Sequence, residues 1–364
     1  MPNSNVCCKN NELTSVLNRH FKGKINLARL KLISHFIIAL CKVQTVTFEK
    51  LAIAFDAEAK VCSSLRRIQR FIASYSLSSD LIAQLIFSLL PNKKNLRLTI
   101  DRTNWKFGET NINIFMLGVV YKGVAFPLLF SMLNKRGNSN SQERIDLINR
   151  FIDLFGLDKI ESLVADREFV GEEWLAFLNL NRIKYHIRIR NNFKVHNPRK
   201  NTKVKASWLF SNSKINQFKV YNKIFYINGV ACYLSGCRLK NKNGKQDFLI
   251  IVSFTKPGKS QEFYNERWQI EMSFKAMKSS GFDMEKTHLK DIQRVEKLLS
   301  LIMVAFVWCY KVGIALNAIR PIKVKAHGRK AKSIFKLGLS FLASCFLNAK
   351  KQLDIPIFKF LSCT

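Results

Sequence analysis

The chain lacks the cysteine and histidine spacing of a protein zinc site. No two of its nine cysteines are separated by two residues, and no two of its six histidines lie four positions apart. The first absence excludes a zinc knuckle, and the histidines are most simply residues of the surface or the core. The cysteines also form no even framework, so we expect reduced thiols in a cytosolic protein and not disulfides in a secreted one.

The chain also lacks an apolar run of membrane-spanning length. The most membrane-like run, Leu298 to Tyr310, has 13 residues before Lys311, whereas a spanning helix needs roughly 20. We therefore expect a buried core helix there. The first ten residues contain no apolar core of a signal peptide, so the protein is expected in the cytoplasm with no membrane partner.

Acidic residues are scarce. The chain of 364 residues has 25 Asp and Glu against 60 Lys and Arg, which gives a formal charge of +35. Because the cations are spread along the chain, they predict a polyanion held over a long surface, with affinity that falls steeply as salt rises. Ribosomal and other RNA-binding proteins share such a charge, so the excess identifies the class of partner and not the reaction.

Two of the few carboxylates follow β-like runs. Asp101 comes directly after the run from Leu96 to Ile100, and Asp166 comes directly after the run from Ile160 to Ala165. Carboxylates at the ends of neighbouring strands converge at one edge of a sheet, where open α/β folds keep their sites. The sequence therefore predicts that Asp101 and Asp166 lie close together.

A third carboxylate stands in a patterned segment near residue 270. Polar side chains there recur at offsets of three, four and seven residues, which at about 100° per residue places them on one helical face. The four are Tyr264, Arg267, Glu271 and Lys278. A carboxylate flanked by cations and a phenol suits a site that binds a metal and a phosphodiester together. The alternative is a surface helix with i, i+4 ion pairs.

Together, Asp101, Asp166 and Glu271 would form an all-oxygen cluster. Such a cluster repels itself unless a hard cation lies inside it, which favours Mg²⁺ or Mn²⁺ over zinc. Two such ions about 3.5–4 Å apart would activate an attacking hydroxyl and stabilise the leaving oxygen of an in-line phosphoryl transfer. We expect two Mg²⁺ ions, with Mn²⁺ able to substitute.

These residues resemble the catalytic triad of DDE transposases. The spacing Tyr264-x2-Arg267-x3-Glu271-x6-Lys278 is similar to the third signature of a large group of bacterial insertion-sequence transposases. The first and second signatures are resembled by Asp101-Arg-Thr103 and Asp166-Arg-Glu-Phe169. The family pattern leads us to expect a small residue after Asp101, where this chain has Arg102.

The resemblance implies a reaction and a role for each residue. It implies metal-dependent cleavage at the ends of an element and joining of the freed 3′-hydroxyl to target DNA, with Asp101, Asp166 and Glu271 as metal ligands. Arg267, Lys278 and Tyr264 would contact phosphates beside the scissile bond. Cut-and-paste movement through a DNA hairpin needs a base turned out of the stack. Trp268 could stack on such a base, or its indole could be buried under the helix.

The resemblance also implies partners and a location. The partners would be double-stranded DNA, namely the terminal inverted repeats and the target, and a second copy of the chain in a DNA-dependent homodimer. The expected location is the nucleoid of a bacterial cytoplasm.

The order of elements predicts an α/β fold in three domains. Residues 1–92 read as short capped helices, one of them with Arg66, Arg67 and Arg70, and suit a helix-turn-helix-like DNA-binding domain; the alternative is a helical bundle with a basic face. Residues 93–320 would form a ribonuclease-H-like catalytic core, interrupted at 190–255 by a mainly β insertion. Residues 321–364 would form a basic helical region.

Two other functions fit parts of the pattern. One is a catalytically inactive, transposase-derived DNA-binding protein, against which the full set of carboxylates argues. The other is a ribonuclease-H-like repair nuclease, against which the β insertion and the Tyr264 to Lys278 segment argue.

Overall fold

The computed structural model describes residues 4–55, 59–199, 201–240, 243–326, 328–348 and 355–362, with the backbone alone for residues 4–8. The chain forms two compact units. The first consists of Met1–Pro91, Trp105–Ile112 and Ser273–Thr364, and the second of Asn92–Asn104 and Asn113–Met272. The functional boundaries of the three predicted domains stay a prediction.

The second unit is built on one mixed sheet flanked by helices, so the predicted α/β class is confirmed. The sheet has ten strands in the order β3-β2-β1-β4-β5-β10-β9-β8-β6-β7. Strands β1, β4 and β5 are parallel, and β10 pairs antiparallel with β5. The strands are β1 (Leu96–Phe107), β2 (Thr110–Tyr121), β3 (Val124–Met132), β4 (Ile160–Ala165), β5 (Tyr185–Ile189), β6 (Lys194–Asn197), β7 (Thr202–Lys205), β8 (Lys219–Ile227), β9 (Val230–Lys240) and β10 (Gln246–Ser253).

Local sequence signals explain several of these elements. Helix α6 (Ser141–Phe155) starts at a capping box in which the Asn140 side chain and the Glu143 side chain each bond the other's backbone amide. Lys122 and Gly123, between β2 and β3, both have positive φ, 48° and 92°, as a two-residue hairpin turn requires. Helix α7 (Glu172–Leu180) follows β4 and buries Trp174. The sequence predicts these two helices over Ser141 to Phe155 and Glu172 to Asn181, so the observed bounds agree to within a residue.

Strands β6 to β10 lie in the predicted insertion and extend the same sheet. They continue from β5 through β10, and the segment also contains a short 3-10 helix, Ala206–Phe210. The insertion is therefore mainly β, as its alternating sequence predicts.

Two predicted elements need correction. Asp101 does not end its strand, because β1 continues to Phe107, with Thr103 and Trp105 buried and Asn104 and Lys106 exposed. The segment from Tyr264 to Lys278 is also not one continuous helix. It comprises α8 (Ser260–Asn265), a turn at Glu266 and Arg267, α9 (Trp268–Lys275) and a π-helical turn (Ala276–Ser280).

The break between α8 and α9 has a local cause. The amide of Arg267 donates to the carbonyl of Tyr264 at 3.0 Å, and the amide of Gln269 donates to that of Glu266 at 3.0 Å. Bonds to the third residue back tighten the backbone relative to an α-helix and change the helical phase.

The first unit is helical. Its core helix is α10 (Ile292–Ile319). This helix packs with α2 (Leu27–Val43), α4 (Val61–Ser74), α5 (Ser79–Ser88) and α11 (Ile334–Leu347). Helices α10 and α11 approach closely because Gly338 has no side chain; a Cβ there would lie 1.8 Å from the Cys309 carbonyl oxygen. The other helices are α1 (Ser4–Phe21) and α3 (Phe48–Ile53).

Helix α10 is longer than the apolar run that signalled it. With 28 residues it is long and apolar enough to cross a membrane. Helices α4 and α5, which are bent by 103° relative to each other, are together also long and apolar enough to form one broken span. However, 83% of the apolar window of α10 is buried within the protein. This burial is the environment expected for the predicted core helix.

Candidate active site

Strand register brings Asp101 and Asp166 to adjacent positions. The parallel ladder between β1 and β4 pairs Ile100 with Ala165 at its last step. Asp101 and Asp166 are the residues that directly follow this pair along the sequence, and neighbouring strands lie about 4.8 Å apart. The predicted convergence therefore follows from the register, although β1 continues beyond it.

Asp101 is a largely buried carboxyl with an unusual pKa. Burial raises its pKa from 3.8 to about 7 because the charged form loses hydration. A hydrogen bond from the amide of Arg102, 2.7 Å from Oδ1, and the charge of Arg267 oppose this rise, while the charges of Glu168 and Glu271 add to it. Asp101 is therefore a carboxyl that a nearby cation would stabilise in its charged form.

Tyr264 joins α8 to Asp166. Its hydroxyl donates to Oδ1 of Asp166 at 3.2 Å, and the residue is 4% exposed. Burial, with the nearby charge of Asp166, raises the pKa of the phenol to about 12. Tyr264 therefore keeps its proton at neutral pH and remains a hydrogen-bond donor.

Arg267 contacts two of the three carboxylates. Its Nη1 lies 2.7 Å from Oε1 of Glu271 and 3.5 Å from Oδ2 of Asp101, and its side chain is 5% exposed. The turn before α9 thus places one guanidinium beside Asp101 and Glu271. Charge-assisted bonds of this kind are strong when buried.

The donor set fits a hard divalent cation in its chemistry. Asp101, Asp166 and Glu271 offer only oxygen ligands, and burial raises the pKa of Asp101 to about 7 despite the nearby charge of Arg267. Within the described ranges, however, no three His, Cys, Asp or Glu side chains form a group placed to hold a metal. Glu271 pairs with Arg267 instead, so metal ligation by these three carboxylates stays a prediction.

Trp268 and Lys278 have different surroundings. The indole of Trp268 is 59% exposed, and the Arg267 guanidinium lies over its ring at 4.8 Å from the centroid. The interpretation of Trp268 as an indole buried under the helix is therefore wrong. Lys278 belongs to the first compact unit, where its Nζ lies 2.7 Å from Oε1 of Glu285 and 5.4 Å from the Trp105 ring centroid.

Three charged residues beside Asp101 and Asp166 contact one another in ways that the sequence did not reveal. Arg102 pairs with Glu168, and Arg144 donates to the main-chain carbonyl of Glu168 at 3.0 Å. Their signal in the sequence was their position, since Arg102 and Glu168 lie within the motifs that follow Asp101 and Asp166. Arg144 gave no such signal, because it lies in the middle of α6.

Residues 93–308 match the family model described as a transposase DDE domain. Because the match covers more than half of the 364 residues, the chain belongs to this family, and the predicted resemblance to DDE transposases is confirmed. Transposases of this family cut and transfer DNA strands and generally depend on a divalent metal. The narrower signature group and the bacterial insertion-sequence origin stay predictions.

One solved structure with a similar chain is the cryo-EM structure of a piggyBac transposase synaptic complex with hairpin DNA. The two chains share 13% sequence identity at a TM-score of 0.46, over 96% of this chain and 80% of the other. The comparison with curated proteins finds no match.

Proposed function

We propose that this protein is the transposase of a bacterial insertion sequence, with a ribonuclease-H-like core that cuts the element's ends and joins them to target DNA. The observation that carries the proposal is the pairing of Ile100 with Ala165, which sets Asp101 and Asp166 side by side in a family of DNA-cutting enzymes. Glu271 joins them through Arg267, which contacts both Glu271 and Asp101.

Asp101, Asp166 and Glu271 are the residues that would hold two Mg²⁺ ions, or Mn²⁺ in their place. When bound, such ions supply positive charge for the attacking and leaving oxygens of the phosphodiester. For these carboxylates to act together, the guanidinium of Arg267 must leave Glu271. A DNA phosphate is the natural new partner of that guanidinium, because arginine binds phosphate and carboxylate with the same bidentate geometry.

The other residues position the substrate. Tyr264 keeps its single hydroxyl proton at neutral pH and donates it to Asp166. To donate to a DNA phosphate instead, the hydroxyl would have to leave Asp166. Lys278, which pairs with Glu285, would contact a flanking phosphate as a point charge. The exposed indole of Trp268 offers a face on which a displaced base can stack. Positioning of this kind matters because phosphoryl transfer depends mainly on alignment and charge neutralisation.

The first 92 residues would recognise the ends of the element. Helix α4 follows α3 and exposes Arg66, Arg67 and Arg70, while Ile68 and Phe71 on its other face are buried. An exposed arginine row on the second helix of such a pair suits a DNA groove. The β insertion at 190–255 and the basic region at 321–364 would contact phosphates, and two copies of the chain would join on the paired DNA ends.

A catalytically inactive DNA-binding derivative is the second candidate. The ion pair between Arg267 and Glu271 favours it, because this pair engages one carboxylate of the proposed site. A repair nuclease has no comparable observation in its favour.

Cleavage of a supercoiled plasmid that carries the sequences flanking the gene separates these functions. The plasmid is incubated with the protein and Mg²⁺ or Mn²⁺, beside the Asp101→Ala variant. We expect metal-dependent cuts at the element's ends with the unsubstituted protein and none with the variant. Tight binding without cutting under either metal would favour the inactive derivative, and cutting without regard to the ends would favour the nuclease.

A further inference from the structure

Arg102 follows Asp101 directly, and its side chain is held by three different segments of the second unit. Nη1 donates to Oδ1 of Asn113 at 3.1 Å, and Nη2 donates to Oδ1 of Asn138 at 3.0 Å. Nη2 also lies 3.4 Å from Oε2 of Glu168, and Nε lies 3.4 Å from Oε1 of the same carboxylate. The guanidinium therefore binds Glu168 through two nitrogens while two asparagines fix its orientation.

Asn113 is itself fixed. It is 2% exposed, and its Nδ2 donates to the carbonyl oxygens of Lys135 at 3.0 Å and Gly137 at 3.1 Å. Its side-chain oxygen is thereby oriented toward Arg102. The guanidinium is thus held on that side by a buried, fully hydrogen-bonded asparagine amide.

Glu168 lies two residues after Asp166, in the turn that ends β4. Arg144, which is 5% exposed, donates to the Glu168 carbonyl at 3.0 Å, and the amide of Phe169 donates to the Asp166 carbonyl at 3.0 Å. The Phe169 ring stacks on that of Phe115 with centroids 5.7 Å apart. Arg102, which lies in the strand of Asp101, adds to this turn a contact from β1.

Arg102 is poorly placed to bind DNA instead. Its side chain is 13% exposed, and hydrogen bonds to Asn113, Asn138 and Glu168 engage both terminal nitrogens. A phosphate contact would require these interactions to break. Its role is therefore in the protein and not at the DNA surface.

We propose that Arg102 is a positioning residue of this transposase, whose ion pair with Glu168 holds the turn that carries Asp166 in place beside Asp101. The expected effect on catalysis rests on the proposed function, whereas the positioning of the turn does not depend on it. Outer residues that orient metal-binding side chains typically change metal affinity or activity by about 10–100-fold when substituted.

The test compares Arg102→Met, Arg102→Lys, Glu168→Gln and the charge swap Arg102→Glu with Glu168→Arg. The matched control is Arg150→Met, since Arg150 donates to the Phe130 carbonyl at 2.9 Å and belongs to α6. Three readouts are made on the full chain: end cleavage with Mg²⁺, binding of the same terminal duplex without metal as a function of salt, and amide hydrogen exchange of residues 166–170.

We expect Arg102→Met to lower the cleavage rate about 10–100-fold and to accelerate exchange at 166–170. Metal-free DNA affinity and its salt slope should stay as in the unsubstituted protein. Arg102→Lys should lose less activity than Arg102→Met because it keeps the charge, and the charge swap should recover part of the loss. Arg150→Met should leave both exchange at 166–170 and cleavage unchanged.

Two results would overturn the inference. Unchanged exchange at 166–170 in Arg102→Met and Glu168→Gln would show that the pair does not hold the turn. A salt slope lowered by about one would show that Arg102 binds a phosphate. If Arg102→Met fails to fold, the milder Arg102→Lys and Glu168→Gln variants decide. If the unsubstituted protein does not cut, the proposed function fails, and the exchange data still decide the positioning.

Discussion

The two aspartates and the glutamate of the candidate site are held in different ways. Asp101 and Asp166 follow directly on a parallel ladder whose last pair is Ile100 and Ala165, so main-chain hydrogen bonds fix their separation. Glu271 lies on the short helix α9, between a turn and a π-helical turn, and its side chain pairs with that of Arg267. The sheet thus presets two carboxylates, whereas a side-chain ion pair, which one new partner can replace, holds the third.

The largest effect should come from the carboxylate that the sheet presets. Asp166→Asn removes a charge that no neighbouring residue can replace, and we expect cleavage to fall by on the order of 10⁴-fold, as for other essential catalytic groups. Asp153→Asn, on the exposed face of α6, is the control and should cleave normally. Substantial cleavage by Asp166→Asn, measured on the plasmid with element ends, would show that the ladder does not define the site.

Arg267 is the link between the two parts of the site. Arg267→Met should lower cleavage about 10²–10³-fold, because it removes a charge-stabilising donor from the reacting phosphate. It should also lower the salt slope of DNA binding by about one. The control, Arg150→Met, removes a guanidinium that donates to the Phe130 carbonyl at 2.9 Å, and it should leave the cleavage rate and the salt slope unchanged. Arg267 would be only a structural counterion if its loss left the salt slope unchanged.

Tyr264 should have a smaller effect. Tyr264→Phe keeps the buried ring and removes only the hydroxyl that donates to Asp166. We expect a loss of roughly tenfold in the cleavage rate, which corresponds to about 1.4 kcal/mol, and a fall in the free energy of unfolding of about 1.5–3 kcal/mol, the usual contribution of one hydrogen bond to a charged group. Tyr221→Phe, which loses a bond to the Leu209 carbonyl at 2.6 Å, is the matched control. Equal losses in both variants would place the effect in the fold and not in the site.

A separate effect concerns stability and not the cleavage rate. Burial, with the charges of Glu168 and Glu271, raises the pKa of Asp101 from 3.8 to about 7. The folded state therefore binds this proton more tightly than the unfolded state, and the free energy of unfolding falls as pH rises from about 4 to about 7. Asp101→Asn removes the titration, so its stability relative to the unsubstituted protein should increase over this range by at most about 4 kcal/mol, at 1.36 kcal/mol per unit of pKa.

Urea unfolding without metal at pH 4 and pH 8 measures this difference. Asp153→Asn should show no such dependence on pH. Adding Mg²⁺ at pH 8 should stabilise the unsubstituted protein and not Asp101→Asn, since only the former keeps the buried carboxylate. A stability difference that is the same at both pH values would contradict the raised pKa.

Local signals predicted the elements that place the aspartates. The apolar run from Ile160 to Ala165 predicted β4 with the bounds that the structure has. The sequence did not predict the part of β1 beyond Asp101. There the buried residues Thr103 and Trp105 alternate with exposed polar residues such as Lys106, so no apolar run marks the strand. Burial on that strand became visible only in the fold.

Spacing alone indicated one contact within the site, the i, i+4 ion pair of Arg267 and Glu271, and not the others. Helical periodicity in the Tyr264 to Lys278 segment is compatible with one helix, and the turn at Arg267 depends on bonds to the third residue back. The contact between Arg267 and Asp101 could not be foreseen, because the two residues lie 166 positions apart in the sequence. Arg267 was therefore assigned to a phosphate. Arg102 was noticed as unusual, but its partners Asn113, Asn138 and Glu168 come from three other segments.

The most direct measurement follows binding and cleavage of one labelled terminal duplex by the unsubstituted protein and by Glu271→Gln. The variant removes a carboxylate charge but no phosphate contact. We predict equal metal-free binding of the duplex by both proteins at moderate salt, and Mg²⁺-dependent cleavage at the element end only by the unsubstituted protein. Cleavage by Glu271→Gln at the unsubstituted rate, or loss of binding in that variant without metal, would contradict the assignment of Glu271 to the reaction and not to DNA binding.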